Sequence, residues 1–327
     1  MTIDDDDGWR PGDIASGLIE NIRGRSFFEV LKEPMSPSLR TLIDSYSHIP
    51  VSTWLIEPKN YTLRDKEIMK MVYPPERIDS GDKYSELNPI TIRRVLSYWS
   101  KPGDYFLDPF YGWGTKMIMS IDMNRNYTGY DIQKRTIDRG HKLLETIPHS
   151  NLDINIHLSD GIDIIYTEPN SADIIFASPP YWKVETYGDE LGQLGNTDYS
   201  TFLKRMKIGA DNYYNALKSD KYCIMMVGDF RYSRRTELDG YRYRMFTSFH
   251  SDIAEIFKMA GFELHDIVIK IKSLPEPYIA RSVTRTIRRD YTVKVHEYLM
   301  VFRKPLIPYK QFSVCDVVSD DDNYGPI

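Results

Sequence analysis

A chain of 327 residues, 41% hydrophobic and 27% charged, holds enough apolar material for a full core, as one large domain or as one domain plus an appendage. Cys223 and Cys315 are its only cysteines, which excludes a disulfide framework and a thiolate metal site, and no apolar run approaches membrane-spanning length. The formal net charge is −5, but acid collects at residues 4–7 and 320–322 while arginine clusters at 231–244 and 281–289, which leaves room for a local basic surface.

Met1-Thr2-Ile3 followed by aspartates has no leader pattern, and the expected compartment is a reducing cytoplasm. Over residues 1–82 the patterning is mixed. Residues 14–23 and 39–46 read as short amphipathic helices, 51–56 as a strand, and 66–72 as a helix closed by Tyr73-Pro74-Pro75. We expect an N-terminal segment over 1–82, a main domain over 83–310 and an acidic tail over 311–327. Whether the first segment is a small domain, a cover over the main sheet or a partner-binding arm stays open.

Residues 90–99 carry Ile92, Val95, Leu96 and Trp99 on one helical face. Tyr105-Phe106-Leu107 then reads as a strand running into Asp108-Pro109-Phe110-Tyr111-Gly112-Trp113-Gly114-Thr115, a glycine turn that opens a helix at Lys116. Such a turn alone suits any nucleotide-binding α/β unit. Here Asp108 precedes it and no Gly-Lys-Ser/Thr phosphate grip follows, a combination that favours a cationic, phosphate-free ligand such as S-adenosylmethionine over a dinucleotide. The next strand, 127–131, ends in Asp131, able to take both ribose hydroxyls, and a third over 155–158 leads to Asp160, able to accept from the adenine amino group. Taken singly, each acid reads first as a helix N-cap; acids after successive strands favour a ligand site.

Ile174-Ile175-Phe176-Ala177 has the composition of a buried central strand, and Ser178-Pro179-Pro180-Tyr181 ends it, because consecutive prolines give no N–H to a ladder. The result is a stiff loop at a strand's carboxyl end. An exocyclic amine of a nucleobase is a poor nucleophile, its lone pair being delocalised into the ring. Acceptors at its N–H bonds, the Ser178 oxygen and a main-chain carbonyl near Pro179, help localise that pair, and Tyr181 can stack on a base taken out of the duplex. The plainer alternative is a Pro-Pro turn that only ends a strand.

These residues carry a family resemblance. Asp108–Thr115 matches motif I, Asp-Pro-Phe-x-Gly-x-Gly-Thr, and Ser178–Tyr181 matches motif IV, Ser-Pro-Pro-Tyr, of the S-adenosylmethionine-dependent amino-methyltransferases of DNA. Val227-Gly228-Asp229 and the run from His296 to Phe302 resemble later core strands, so the likeness covers about residues 84–304, and it is strongest to the cytosine-N4 group. It implies an α/β fold: a doubly wound, mostly parallel, seven-stranded Rossmann-like methyltransferase sheet with a small N-terminal appendage. It also implies that Asp108, Pro109, Phe110, Gly112, Gly114, Thr115, Asp131 and Asp160 hold the cofactor, and that Ser178, Pro179, Pro180 and Tyr181 hold the target base. Ser at position 178 favours cytosine N4 over adenine N6. Trp113 and Lys116 depart from the pattern, standing where Ser and Thr are usual. No metal or covalent intermediate is implied, and no cysteine stands at the motif IV loop for carbon-5 chemistry.

Strands over 223–227, 267–271 and 298–302 complete the expected sheet, with helices over 199–217 and 249–259 between them. Two segments lie outside that scaffold. A loop over 230–246 carries Arg231, Arg234 and Arg235, and a loop over 273–292 carries Arg281, Arg285, Arg288 and Arg289, both interleaved with tyrosines. Arginine for phosphates and tyrosine for stacking is the composition of a DNA-contacting surface, the solvated-loop reading being the alternative. DNA with its target base flipped out is the expected partner, without membrane or metal. Competing readings keep the chemistry and change the substrate to RNA or a protein amide, or keep the fold as an inactive DNA-binding module.

Overall fold

Two neighbouring strands that part company set this architecture. The computed structural model describes residues 52–56, 61–73, 87–180, 182, 192–235, 242–272 and 295–307. In chain order these form β1 (Thr53–Ile56), α1 (Leu63–Val72), α2 (Pro89–Trp99), β2 (Tyr105–Asp108), α3 (Thr115–Asp122), β3 (Asn126–Asp131), α4 (Lys134–Leu144), β4 (Ile154–Leu158) and β5 (Ala172–Ala177). There follow a 3₁₀ turn (Leu194–Asn196), α5 (Tyr199–Ala216), β6 (Leu217–Val227), β7 (Phe230–Arg235), β8 (Arg242–Thr247), α6 (Phe249–Met259), β9 (Glu263–Lys272) and β10 (His296–Arg303).

The main sheet has the order β1-β9-β10-β6-β5-β2-β3-β4. β10 runs antiparallel to both β6 and β9, and the other neighbours pair in parallel. From β2 the chain winds outward through β3 and β4, then returns to β5 and proceeds through β6 in the opposite direction. The order reverses between β2 and β5. Every residue of β5 is buried, as a strand covered on both faces must be.

One face packs α5 and α6 on the sheet through Phe202, Met206, Tyr213, Phe249 and Phe257. The other packs α1, α2 and α3 through Ile68, Val72, Ile92, Val95, Leu96, Met117 and Ile118 against Phe106, Ile174, Phe176 and Ile224. Alternation along each strand sends neighbouring residues to opposite cores.

The strands expected from sequence are present at their expected places, and the sheet gains an eighth, β1, which pairs in parallel with β9. The segment expected as an appendage over 1–82 is therefore partly integral. α1 is closed by a capping box between Thr62 and Asp65, and Asp65, fully buried, also pairs with Arg93 of α2. Arg64 holds Asp122 at 2.7 Å, and Arg139 donates to the last carbonyls of α1. The stretch 230–246 is a β-hairpin at its described ends rather than a loop: β7 pairs with β8 antiparallel, from Phe230↔Thr247 to Arg235↔Arg242. The helices expected over 14–23 and 39–46, the loop over 273–292 and the tail over 311–327 lie outside the described residues.

Candidate functional site

β2, β3 and β5 end in Asp108, Asp131 and Ala177, and β4 ends two residues before Asp160. Open α/β sheets bind ligands outside such strand ends where the order reverses. A cleft open to solvent lies there. Of the expected residues, Pro109, Phe110, Gly112, Thr115, Asp131, Asp160, Ser178 and Pro180 line it. Asp108, Gly114 and Pro179 are not among the lining residues, and Tyr181 lies outside the described residues.

Asp108 differs from expectation for a clear reason. It is fully buried, and its carboxylate is already taken. Lys116, 3% exposed, forms an ion pair with Oδ1; the Tyr127 hydroxyl donates to Oδ2 at 2.5 Å, and the Phe110 N–H donates to Oδ1 at 3.1 Å. Burial pushes the Asp108 carboxyl up and the Lys116 ammonium down, toward sharing one proton. Whether as ion pair or neutral acid and amine, the couple carries no net charge into the cleft.

The glycine turn serves backbone geometry. Gly112 has φ +60°, and its N–H donates to Asp131 Oδ2 at 3.0 Å. Gly114 is the left-handed N-cap residue of α3, and a Cβ on it would stand 2.5 Å from the Tyr111 hydroxyl beneath the turn. Thr115 meets the Tyr73 hydroxyl at 3.1 Å, which in turn accepts the Leu87 N–H at 2.9 Å. The turn is thus braced from the segment preceding the expected domain boundary.

Asp131 accepts N–H groups from Gly112 and from Gln133, the latter at 2.8 Å. Burial nonetheless pushes its carboxyl up to about 6. Asp160 accepts the Ile162 N–H at 2.9 Å and is paired with Arg205 of α5, which also donates to the Gly192 carbonyl at 3.1 Å. Arg205 so fastens Gly192 to the residues that follow β4. Trp182 is buried and donates to the Thr197 carbonyl at 2.7 Å. Gly161 sits where the loops after β2 and β4 touch, and a Cβ there would stand 1.6 Å from the Pro109 carbonyl oxygen.

Met226 and Glu297 line the cleft beyond Ser178. Glu297 is 3% exposed and accepts from Lys270 at 2.8 Å. Sequence reasoning passed over Tyr73, Arg205 and this pair. Its available signal was a glutamate inside the apolar run of β10; Arg205, one cation on an amphipathic helix, gave none. Cys223 is buried in the core, and burial pushes its thiol up, so it is no nucleophile for this cleft.

Of the expected DNA-contacting arginines, Arg231 lies over the Phe246 ring at 5.1 Å, and Arg234 and Arg235 fall on β7. Arg281, Arg285, Arg288 and Arg289 are outside the described residues. Among the described residues no cluster of His, Cys, Asp or Glu is arranged to hold a metal ion, and no helix is long and apolar enough to cross a membrane.

A family model described as DNA methylase, of the N6/N4 methyltransferase type, matches residues 34–142 and 172–319. The chain is 33% identical over 60 residues to the type II methyltransferase M.BglII of Bacillus subtilis, a match covering 18% of this chain and 17% of that protein. It is 29% identical over 94 residues to M2.DpnII of Streptococcus pneumoniae, covering 27% and 35%. These curated relatives are therefore matched over about a third of their length or less. Among solved structures, a SAM-dependent methyltransferase of Methanosarcina mazei is 12% identical with a TM-score of 0.43, covering 65% of this chain and 98% of that one. TrmN of Thermus thermophilus is 14% identical with a TM-score of 0.43, covering 70% and 52%. The fold stands on its own strand order rather than on these likenesses.

The contact at Gly161 generates a direct expectation. Gly161→Ala is expected to destabilise the protein by about 2 kcal/mol or more, since a methyl forced against backbone must move one of two packed loops. A urea titration checks this, and a midpoint equal to that of the parent contradicts it.

Proposed function

The chain belongs to the DNA methylase family of the N6/N4 methyltransferase type, and from that premise we propose that it transfers a methyl group from S-adenosylmethionine to an exocyclic amine of a DNA base, cytosine N4. One observation carries the reading. A glycine turn without a phosphate grip, two strand-end acids, and Ser178 and Pro180 of the Ser-Pro-Pro loop meet in a single cleft at the point where the strand order reverses.

The cleft fits the cofactor on charge. Of its lining acids Asp160 is paired with Arg205 and Glu297 with Lys270, and the one lysine in it is balanced by Asp108, which leaves Asp131, held by N–H groups, as the acid that faces a ligand. That carboxylate, with no phosphate grip in the turn, suits a ligand with ribose hydroxyls and cationic groups better than a pyrophosphate. In the proposed arrangement Asp131 takes the ribose hydroxyls and Asp160, with its Arg205 partner, faces the adenine. Gly112 lets the backbone approach the methionine end. When bound, the cofactor supplies a methyl group on a positively charged sulfur, ready for in-line displacement.

The protein's own contribution is orientation. Ser178 Oγ and the Pro179 carbonyl accept the amine N–H bonds and draw its lone pair out of conjugation, while the prolines hold both acceptors stiff. Ser rather than Asp at position 178 supports cytosine as the base, by the family resemblance. The β7–β8 hairpin, which follows the carboxyl end of β6, is proposed to contact DNA through Arg231, Arg234 and Arg235, together with Arg281, Arg285, Arg288 and Arg289. The base has to be flipped out of the duplex, because a stacked and paired base cannot bring its amine to such a loop.

Incubation with labelled S-adenosylmethionine and unmethylated DNA, followed by digestion to nucleosides, tests the reading. Label is expected in N4-methylcytosine, reduced about 10²-fold by Ser178→Ala. Label in N6-methyladenine keeps the reaction and overturns the base; label only in RNA or protein overturns the substrate.

The raised carboxyl of Asp131 predicts a pH dependence. Its folded value lies above the ordinary one, so the neutral form is favoured by folding and the charged form exacts a cost as pH rises through about 6. The charged form is the better acceptor for ribose hydroxyls. Cofactor affinity is therefore expected to rise between pH 5 and pH 7 with its midpoint near 6, and Asp131→Asn to flatten that profile, as read by calorimetry.

A further inference from the structure

We infer that Lys116 is a positioning residue that ties the cofactor turn to the acceptor loop across the gap between β2 and β5. The inference rests on the methyl-transfer reading above, since it concerns the alignment of that reaction's two partners.

Lys116 is the second residue of α3 and is almost wholly buried. Its ammonium has three N–H bonds and three acceptors. One is Asp108 Oδ1 at the end of β2, the second the Phe110 carbonyl in the glycine turn at 2.8 Å, and the third the Phe176 carbonyl at 3.5 Å. Phe176 belongs to β5, two residues before Ser178. The ammonium therefore touches the element that leads to the cofactor site and the element that ends in the base-holding loop.

The sheet gives that bridge a purpose. The β2–β5 ladder pairs Phe106 with Ile174 and Leu107 with Ile175. Asp108 and Phe176 are the next residues along, and there the strands open into the cleft that Lys116 itself lines. Past the last paired residues, the Lys116 ammonium bridges the two strand ends, close to Asp108 and at 3.5 Å from the Phe176 carbonyl. Neutralising Asp108 does not explain it. A buried ion pair gains little over two well-packed apolar side chains, and the pair with Asp108 needs no contact to Phe176. A donor reaching both strands is explained by the geometry it holds, because in-line transfer loses about 10²-fold in rate for a displacement of roughly 1 Å.

The test removes both charges at once, so that no buried ion is left unpaired. Asp108→Asn/Lys116→Met is compared with the parent protein by three readings: amide hydrogen exchange without cofactor, S-adenosylmethionine affinity by calorimetry, and single-turnover methylation of DNA. Exchange is expected to quicken in residues 110–112 and 176–178 together. The single-turnover rate should fall about 10²-fold while the cofactor Kd stays within about threefold. Asp108→Asn/Lys116→Gln keeps a donor of shorter reach and should lie between, about tenfold down; it supplies the same readings if the methionine pair does not fold. Parent-like exchange and rate in the methionine pair would overturn the inference and leave Lys116 a counter-charge only. A loss wholly in cofactor affinity, with an unchanged rate at saturation, would overturn it too. If the parent protein methylates no DNA, the functional reading fails, and the exchange data still decide the tether.

Discussion

The site depends on the parting of β2 and β5. Two parallel strands that pair through Leu107 and Ile175 and then separate create a crevice at the carboxyl edge of the sheet, and the functional residues are arranged around it. The opening would be loose if each strand end simply ran into solvent-exposed loop. It is held instead by contacts of short reach. Lys116 spans the two strand ends, Gly161 lets the loop after β4 lie against Pro109, and Arg205 fastens Gly192 to Asp160. Preorganisation of this sort is what an unassisted group transfer needs from a protein.

Charge is the second constraint. In the proposed reading the cofactor is cationic where it meets the cleft, and the DNA backbone is anionic where it meets the outer surface. Asp131 at a strand end and arginine on the hairpin beyond β6 are proposed to serve these two partners apart. Asp108 takes no share in this, because Lys116 cancels it inside the protein.

Much of the fold was legible because buried parallel strands announce themselves as short β-branched and aromatic runs, each stopped by a turn signal. Ile174–Ala177 before two prolines is the clearest case, and Asp131 and Asp160 followed from the same logic of strand ends. What escaped were interactions between elements far apart in sequence. β1 is a four-residue strand whose place is set by β9, more than two hundred residues later, and nothing local specifies that pairing. The ends of the arginine-rich stretch read as loop from their charge, although aromatic and polar residues alternate over Phe230-Arg231-Tyr232-Ser233 and Arg242-Tyr243-Arg244-Met245, and cross-strand pairing makes them a hairpin. Lys116 stood out as a departure from the family pattern, but its three acceptors lie on two strands and a turn, which only the folded chain brings together. Arg205 is one cation on an amphipathic helix, indistinguishable in sequence from a solvated one.

The central claim is that both reactants meet in the one cleft between β2 and β5. A crystal structure of the protein with S-adenosylhomocysteine bears on it most directly. The account predicts the ribose on Asp131, the adenine beside Asp160, and the sulfur turned toward Ser178. Product bound with its ribose away from Asp131, or at a site outside this cleft, would contradict it.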